Sequence, residues 1–300
     1  MSGRGAAGSK LAATLARLAE QRGRGAGPFA AAAPGAVPAE LARLGEGLAR
    51  EPVGVDSFLP GGVLEGPRGR CYLHERLRSD IEKRARAWGR YRAPAAALDA
   101  LHPELAERVT RGLEGAVFLD LETCGLSNAP LFLAGTMHWN GSDYVLRQWF
   151  ARDYSEEPAL VDELTRFLAG YETVITYNGK SYDVPFLGDR AAIHHVPFTR
   201  PARHLDLVHH ARRRWSGLLP DCRLVTVEWH VCRRRRVGDV SGAEVPDLYH
   251  DFVKYGAAHR LIPVFHHNLL DVITMDEILR ALIEDPDEDA FEGMTAGDLE

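Results

Sequence analysis

The sequence contains few cysteines and no long apolar run, and each absence excludes a class of protein. Its four cysteines, Cys71, Cys124, Cys222 and Cys232, form no C-x-x-C pair, so reduced thiols are expected rather than a zinc knuckle or a disulfide framework. No apolar run approaches the length of a transmembrane helix, so no membrane partner is predicted. The basic N-terminal segment lacks the continuous apolar stretch of a secretory signal, which favours a cytoplasmic protein.

A net positive charge is also missing. Lys and Arg total 36 against 42 Asp and Glu, and the formal net charge of -6 is not typical of a protein that binds nucleic acid through bulk electrostatics. The charge is unevenly distributed, however, because residues 212–214 and 233–236 are two dense arginine clusters. Two segments in the expected middle of the fold are therefore basic, although the chain as a whole is acidic.

Composition divides the 300 residues, of which 45% are hydrophobic, into four predicted parts. They are a flexible Ala/Gly/Arg-rich arm (1–50), a small hairpin and helical lead-in (51–114), an α/β domain (115–284) and an acidic tail (285–300). The hairpin is expected around a Gly-Pro-Arg-Gly turn, and the helical stretch after it is expected to break at Pro94 and again at Pro103.

Apolar patterning predicts a mixed sheet in the α/β domain. Three strands close together in sequence, at residues 116–122, 131–139 and 143–151, favour an antiparallel meander. A helix capped by Ser155 and ending at Gly170 then leads to strands at 173–179 and near 204–207, which should run parallel to their neighbours. Three antiparallel strands followed by parallel strands, flanked by helices, are the order of elements in a ribonuclease H-like α/β domain.

Four acidic side chains, two on a predicted strand, one after another strand and one on a later helix, are candidates for a shared metal site. Asp120 and Glu122 end the first strand two residues apart and so share one side of it. Asp183 follows the fourth strand at the start of a helix, and Asp271 lies on a later helix four residues after His267. A lone D-x-E pair is usually a solvated strand end, but four such acids are what two-metal phosphoryl transfer requires, with two Mg²⁺ or Mn²⁺ ions as cofactors.

Six segments also carry a family resemblance. In order and spacing, the chain resembles the YprB-like ribonuclease H-like family within the DEDD exonuclease superfamily, in FLDLETCGL, TYNGKSYDVPFL, HLDLVHHARRRW, CRLVTVE, GDVSGAEVPDLY and HHNLLDV. The resemblance implies metal-binding acids at Asp120, Glu122, Asp183 and Asp271. It also implies a histidine general base. Relatives with such a base place it five residues before the last aspartate, at His266, whereas helical geometry favours His267, which shares a face with Asp271.

Several further residues are candidates for substrate contact. Asp206 is either a supporting acid or a helix N-cap, and Tyr177 and Asn178 either contact substrate or simply form an Asn-Gly turn. Phosphate contact is expected from arginines in the family-like segments, ahead of the cluster at 233–236, unless they are solvated helix faces; these arginines are Arg213, Arg214 and Arg223.

The leading functional prediction is a metal-dependent 3′–5′ exonuclease that hydrolyses phosphodiester bonds at single-stranded DNA or RNA ends. Two alternatives remain open. A nucleic-acid-binding module without turnover would use the same fold and basic clusters, and a structure-selective endonuclease would use the same acids. Retention of every acid argues against the pure binding module, because a cluster of negative charge near phosphates is costly.

Overall fold

The structure, a computed structural model, describes residues 54–82 and 101–284. The predictions for the arm (1–50) and for the acidic tail (285–300) lie outside these residues, as does part of the lead-in. Within the described ranges, no helix combines the length and the apolar character needed to cross a membrane. All four cysteines are free thiols.

Seven strands form one sheet in the order β1-β2-β5-β4-β3-β6-β7. The strands are β1 Gly61–Gly66, β2 Gly69–Leu77, β3 Ala116–Thr123, β4 Leu131–Trp139, β5 Tyr144–Phe150, β6 Thr173–Thr176 and β7 Arg203–Asp206. The α-helices of the described ranges are α1 Arg78–Ile81, α2 Pro103–Arg111, α3 Glu157–Leu168, α4 Asp183–Ile193, α5 Leu207–Trp215, α6 Leu224–His230, α7 Val245–Tyr255 and α8 Ile262–Glu284.

Strand pairing confirms the predicted fold class. β3, β4 and β5 form the antiparallel meander, and β6 and β7 continue the sheet in parallel after the helical crossover. Strand β3 lies between β4 and β6 and is buried along most of its length, which explains why its sequence is a continuous apolar run rather than an alternating one.

The predicted hairpin forms, and it extends this same sheet. Gly66 pairs with Gly69 across the turn, and Gly69 has a φ of +110°, a conformation that favours glycine. The C-terminal two thirds of β2 then pair antiparallel with β5. The hairpin is therefore continuous with the sheet of the α/β domain.

The predicted break at Pro103 lies at the start of α2: Pro103 occupies the first position of this helix, where its missing N–H costs nothing. The predicted helix cap at Ser155 was wrong. The helix cap near Ser155 comes from Asp153, whose Oδ1 accepts the N–H of Ser155 at 2.8 Å, and a short 3₁₀ turn then leads into α3.

The two faces of β3 pack against different layers, and this places the acids. Phe118 belongs to the core beneath α8, whereas Leu119 and Leu121 belong to the core on the α3 side. Because side chains alternate along a strand, Asp120 and Glu122 follow Phe118 toward α8. The β3–β4 register shifts between Glu122 and Thr123, a bulge of the kind found beside functional sites.

Candidate metal centre

Asp120 and Glu122 present their carboxyl groups at the end of β3, beneath α8. The side chain of Asn268 on α8 donates from Nδ2 to Asp120 Oδ2 at 2.8 Å. Glu122 is only 9% exposed. Burying a carboxylate without a cationic partner has a large free-energy cost, so positive charge near this end of β3 would stabilise the folded protein.

Asp183 reaches the same strand end from the first residue of α4. Its Oδ1 accepts the main-chain N–H of Leu121 at 3.1 Å, which fixes the carboxyl group between the two acids of β3. The loop before α4 is held by Asp206, whose two carboxylate oxygens accept the N–H groups of Asn178 at 2.7 Å and Lys180 at 2.9 Å. Asp206 also accepts the N–H of Val208 at 3.3 Å and thus caps α5.

The fourth acid comes from the buried helix α8. Asp271 Oδ2 lies 3.5 Å from Nε2 of His267, one turn earlier on the same face. Single ligand atoms of Glu122, His267 and Asp271 all lie within 4.8 Å of one another. Three separate segments, β3, α4 and α8, therefore bring their acids to one place.

The acids raise one another's pKa values. Burial raises the pKa of Asp120 well above its ordinary range, and the charges of Asp271, Glu122 and Asp183 add to this. Burial likewise raises the pKa of Glu122 to about 8, with His267 opposing and Asp271 adding to the shift. The pKa of Asp183 rises to about 7, again chiefly through burial, despite its hydrogen bonds from main-chain N–H groups.

This donor set fits a divalent cation. Four carboxyl groups offer only oxygen ligands, which hard divalent ions prefer. Burial raises the pKa values of Asp120, Glu122 and Asp183, and bound positive charge removes the mutual repulsion that adds to this rise.

His267 is held from both sides. Its Nδ1 lies 2.8 Å from Asp239 Oδ1, while its Nε2 faces Asp271. Burial alone would lower the pKa of His267, but the hydrogen bond to Asp239 and the charges of Asp271 and Glu122 outweigh it and raise the pKa to about 9. His266, one residue earlier, is half-buried.

Three further residues surround the acids: sequence reasoning missed Glu228 and Asp239, and it ranked Arg236 behind the arginines of the family-like segments. Arg236, in the segment between α6 and α7, donates from Nη2 to Asp271 Oδ1 at 2.5 Å. Its Nε donates to Glu228, and its Nη1 lies 3.1 Å from Asp239 Oδ2. The segment GDVSGAEVPDLY pointed to this region, but nothing in the run of arginines before it distinguishes Arg236 from its neighbours.

A second missed feature is a relay of side chains that orients Asn268. Gln148 on β5 donates from Nε2 to Asn268 Oδ1 at 2.9 Å, which turns the amide nitrogen of Asn268 toward Asp120. Gly135 on β4 lies opposite both Asp120 and Gln148. A Cβ at this glycine would lie 2.2 Å from Asn268 Oδ1, so only glycine leaves room for the relay.

The arginines favoured by the sequence lie elsewhere. Arg213 and Arg214 are exposed on α5, and Arg223 is paired with Asp221 at 2.6 Å with 80% of its side chain exposed. The Tyr177 hydroxyl donates to Cys222 O at 2.7 Å, and Asn178 is exposed in the loop before Asp183 with a φ of +69°. Contact between these residues and substrate stays a prediction.

A second group with ligand-type side chains lies on α2 and α5. It consists of His102, Glu104 and His210. Arg213 Nη1 lies 3.3 Å from His210 Nδ1, which favours the tautomer that donates from Nε2 to Glu104 at 3.0 Å. A hydrogen bond thus occupies the nitrogen that a metal would need.

Comparison with known proteins identifies the family. The sequence profile RNase_H_2, described as RNase_H superfamily, matches residues 117–283, more than half of the chain. The chain belongs to the RNase H superfamily. This superfamily protein is also 32% identical over 165 residues to the uncharacterized protein YprB of Bacillus subtilis (strain 168), which supports the predicted YprB-like family.

The match covers 53% of this chain but only 39% of YprB. Among solved structures, the RNase H superfamily protein is similar to the family B DNA polymerase from the hyperthermophilic archaeon Pyrobaculum calidifontis. That similarity has a TM-score of 0.45 and 15% identity, and it covers 56% of this chain and 24% of the polymerase chain.

Proposed function

We propose that this protein is a 3′–5′ exonuclease of the DEDD type that hydrolyses the terminal phosphodiester of single-stranded DNA or RNA with two Mg²⁺ or Mn²⁺ ions. The observation that carries the proposal is the convergence of four acids from three segments, of which Glu122, Asp183 and Asp271 are buried and Asp120 is half-buried. Membership of the RNase H superfamily supports a nucleic-acid-processing hydrolase.

In this proposal Asp120, Glu122, Asp183 and Asp271 hold the ions. When bound, the ions would activate the attacking water and stabilise the leaving oxygen. Asn268 holds the Asp120 carboxyl group in its orientation, and the Asp206-anchored loop positions Asp183. Asp120 and Asp183 thus each have a partner that fixes the direction of the carboxyl group, as metal ligands generally do.

His267 is the proposed proton acceptor, with His266 as the alternative. A proton acceptor must be neutral, and the hydrogen bond to Asp239, together with the negative charge of Asp271 and Glu122, works against this by raising the pKa of His267. Positive charge bound by Glu122 and Asp271 offsets their part of this effect and so lowers the pKa of His267, although the hydrogen bond to Asp239 still raises it. Asp239 then orients the ring through Nδ1, so that Nε2 faces the acids.

The test is cleavage of a 5′-labelled single-stranded oligonucleotide by the purified full chain with Mn²⁺. We expect progressive shortening from the 3′ end, and loss of cleavage with EDTA. Asp183→Asn should lower the rate by more than about 100-fold, since partners that only support a metal ligand already account for 10- to 100-fold. Asp251→Asn is the matched control and should leave the rate unchanged, because Asp251 lies on α7, outside the acid cluster, and is paired with Arg260.

Two outcomes would replace this proposal. Tight binding of the oligonucleotide without metal-dependent cleavage would indicate a binding module. Cleavage of a closed circular single strand would indicate an endonuclease. His267→Ala and His266→Ala, compared under the same conditions, separate the two candidate bases, because only loss of the true base should abolish turnover.

A further inference from the structure

Arg236 is a buried cation inside the acid cluster. Only 7% of its side chain is exposed, and its guanidinium contacts three carboxylates. Nη2 lies 2.5 Å from Asp271 Oδ1, Nη1 lies 3.1 Å from Asp239 Oδ2, and Nε contacts Glu228. A buried guanidinium must be paired, and three carboxylates surround the single positive charge of Arg236.

Two of the three contacts are independent of the proposed metal ligands. Glu228 is 1% exposed and is held in place by the Thr274 hydroxyl at 2.9 Å, and Asp239 is shared with His267. The third contact alone involves a proposed ligand, Asp271. Arg236 can therefore release Asp271 and remain paired and buried.

Asp271 is in turn held on both of its oxygens. Oδ1 accepts from Arg236, and Oδ2 faces His267. A divalent cation that uses Asp271 meets the guanidinium at the same carboxylate, where two positive charges repel. Phosphate, in contrast, attracts both of them, and the planar guanidinium matches phosphate oxygens well.

We propose that Arg236 is the resident counter-ion of the metal centre, which gives up Asp271 when a divalent cation binds and then contacts a phosphate oxygen of the nucleic acid. This inference rests on the proposed function, because it needs Asp271 to be a metal ligand. It adds a phosphate-binding residue to the site and makes the cation and the nucleic acid mutually supportive ligands.

The first test measures Mn²⁺ affinity of the full chain by isothermal titration calorimetry without nucleic acid. Arg236→Gln should bind Mn²⁺ at least about fivefold more tightly, the lower range for coupled sites. Arg235→Gln is the matched control: Arg235 is exposed over the Trp229 ring, 5.6 Å from its centroid, so the variant loses the same charge without touching Asp271. An Arg236→Gln affinity no higher than that of Arg235→Gln would overturn the inference.

A double variant protects the test against misfolding and against a general charge effect. Arg236→Gln leaves buried Glu228 short of a partner, whereas Arg236→Gln with Glu228→Gln removes both members of the pair and restores the net charge. The double variant should also bind Mn²⁺ more tightly than the wild type. Affinity that returns to the wild-type value would show that only net charge matters and would refute competition for Asp271.

The second test measures binding of deoxyadenosine 5′-monophosphate to the Mn²⁺-saturated proteins. Wild type and Arg235→Gln should bind it equally, and Arg236→Gln about tenfold more weakly, as expected for one charge-assisted contact. Equal binding by all three would refute the phosphate contact. If the wild type binds no Mn²⁺, the proposed function fails as well. If the wild type binds Mn²⁺ but Arg236→Gln behaves like Arg235→Gln, only the role of Arg236 fails.

Discussion

At the scale of single residues, the acid cluster can bind positive charge, but it lowers the stability of the folded protein when no such charge is bound. Glu122 and Asp183 are buried beside the half-buried Asp120, and desolvation raises the pKa of each. Such a cluster is favourable only when positive charge is bound to it. Removing one acid should therefore stabilise the protein in a chelator while it weakens the site.

Glu122→Gln tests this trade-off. The folded state raises the pKa of Glu122 to about 8, so folding favours the protonated acid, and the cost of Glu122 appears as pH rises above its unfolded value of 4.5. Gln mimics the protonated form at every pH. In EDTA, the variant should be more stable at pH 7 by on the order of 2 to 3 kcal/mol, with little difference at pH 4.5. Urea unfolding at both pH values measures this, and a less stable variant at pH 7 would contradict it.

His138 on β4 should respond to pH in the opposite sense. Burial, with a smaller effect from Arg147, lowers the pKa of His138 to about 4, and its Nδ1 is among the buried described atoms without a hydrogen-bond partner. The neutral ring is thus favoured in the folded state, and its contribution to stability is present above pH 6.5 and lost as pH falls toward 4.

His138→Phe removes this proton-linked loss. The ring packs edge-on against Phe167 and Tyr171, so an aromatic replacement keeps those contacts. Relative to its value at pH 7, the stability of wild type should fall by on the order of 2 to 3 kcal/mol more than that of the variant by pH 4. Urea unfolding at the two pH values measures this, and an equal loss of stability in wild type and variant between pH 7 and pH 4 would contradict the prediction.

At the scale of elements, the site depends on the register of β3, β4 and β5. Asp120, Gly135 and Gln148 lie opposite one another across three strands, and Asn268 of α8 rests over the glycine. The sheet register and one missing side chain therefore decide how Asp120 is oriented. A one-residue slip of either pairing would remove the relay.

Gly135→Ala should disrupt this arrangement. Its Cβ would displace Asn268 and free the Asp120 carboxyl group, so we expect nuclease activity to fall by about 10- to 100-fold, the usual effect of losing a residue that supports a metal ligand. The added bulk should also cost about 1 to 3 kcal/mol of stability. Gly62→Ala on β1, where a Cβ meets nothing within 4 Å, is the control. Full activity in Gly135→Ala would show that the relay is not needed.

At the scale of the whole molecule, local patterns were sufficient to predict the strands of the α/β domain. The apolar run into Asp120, the strand at 131–139 and the helix with His267 and Asp271 all carry their structure in residues close in sequence. The position of Asp183 was also predictable from neighbouring residues, because a residue at the start of a helix that follows a strand lies at the edge of the sheet.

Contacts between distant segments were not predictable in this way. Arg236 and Asp239 lie in an irregular segment with no periodicity, and their approach to α8 depends on how that segment folds back. The relay of Gln148 and Gly135 requires the strand register, which the sequence pattern does not supply. The hairpin was predicted as a local unit, but its pairing with β5 is a long-range contact.

The most direct measurement for this account is an anomalous diffraction map of crystals of the full chain soaked in Mn²⁺ with deoxyadenosine 5′-monophosphate. The account predicts two manganese peaks among Asp120, Glu122, Asp183 and Asp271, with the phosphate beside them. Manganese bound elsewhere, with these four carboxyl groups contacting only protein atoms, would contradict it.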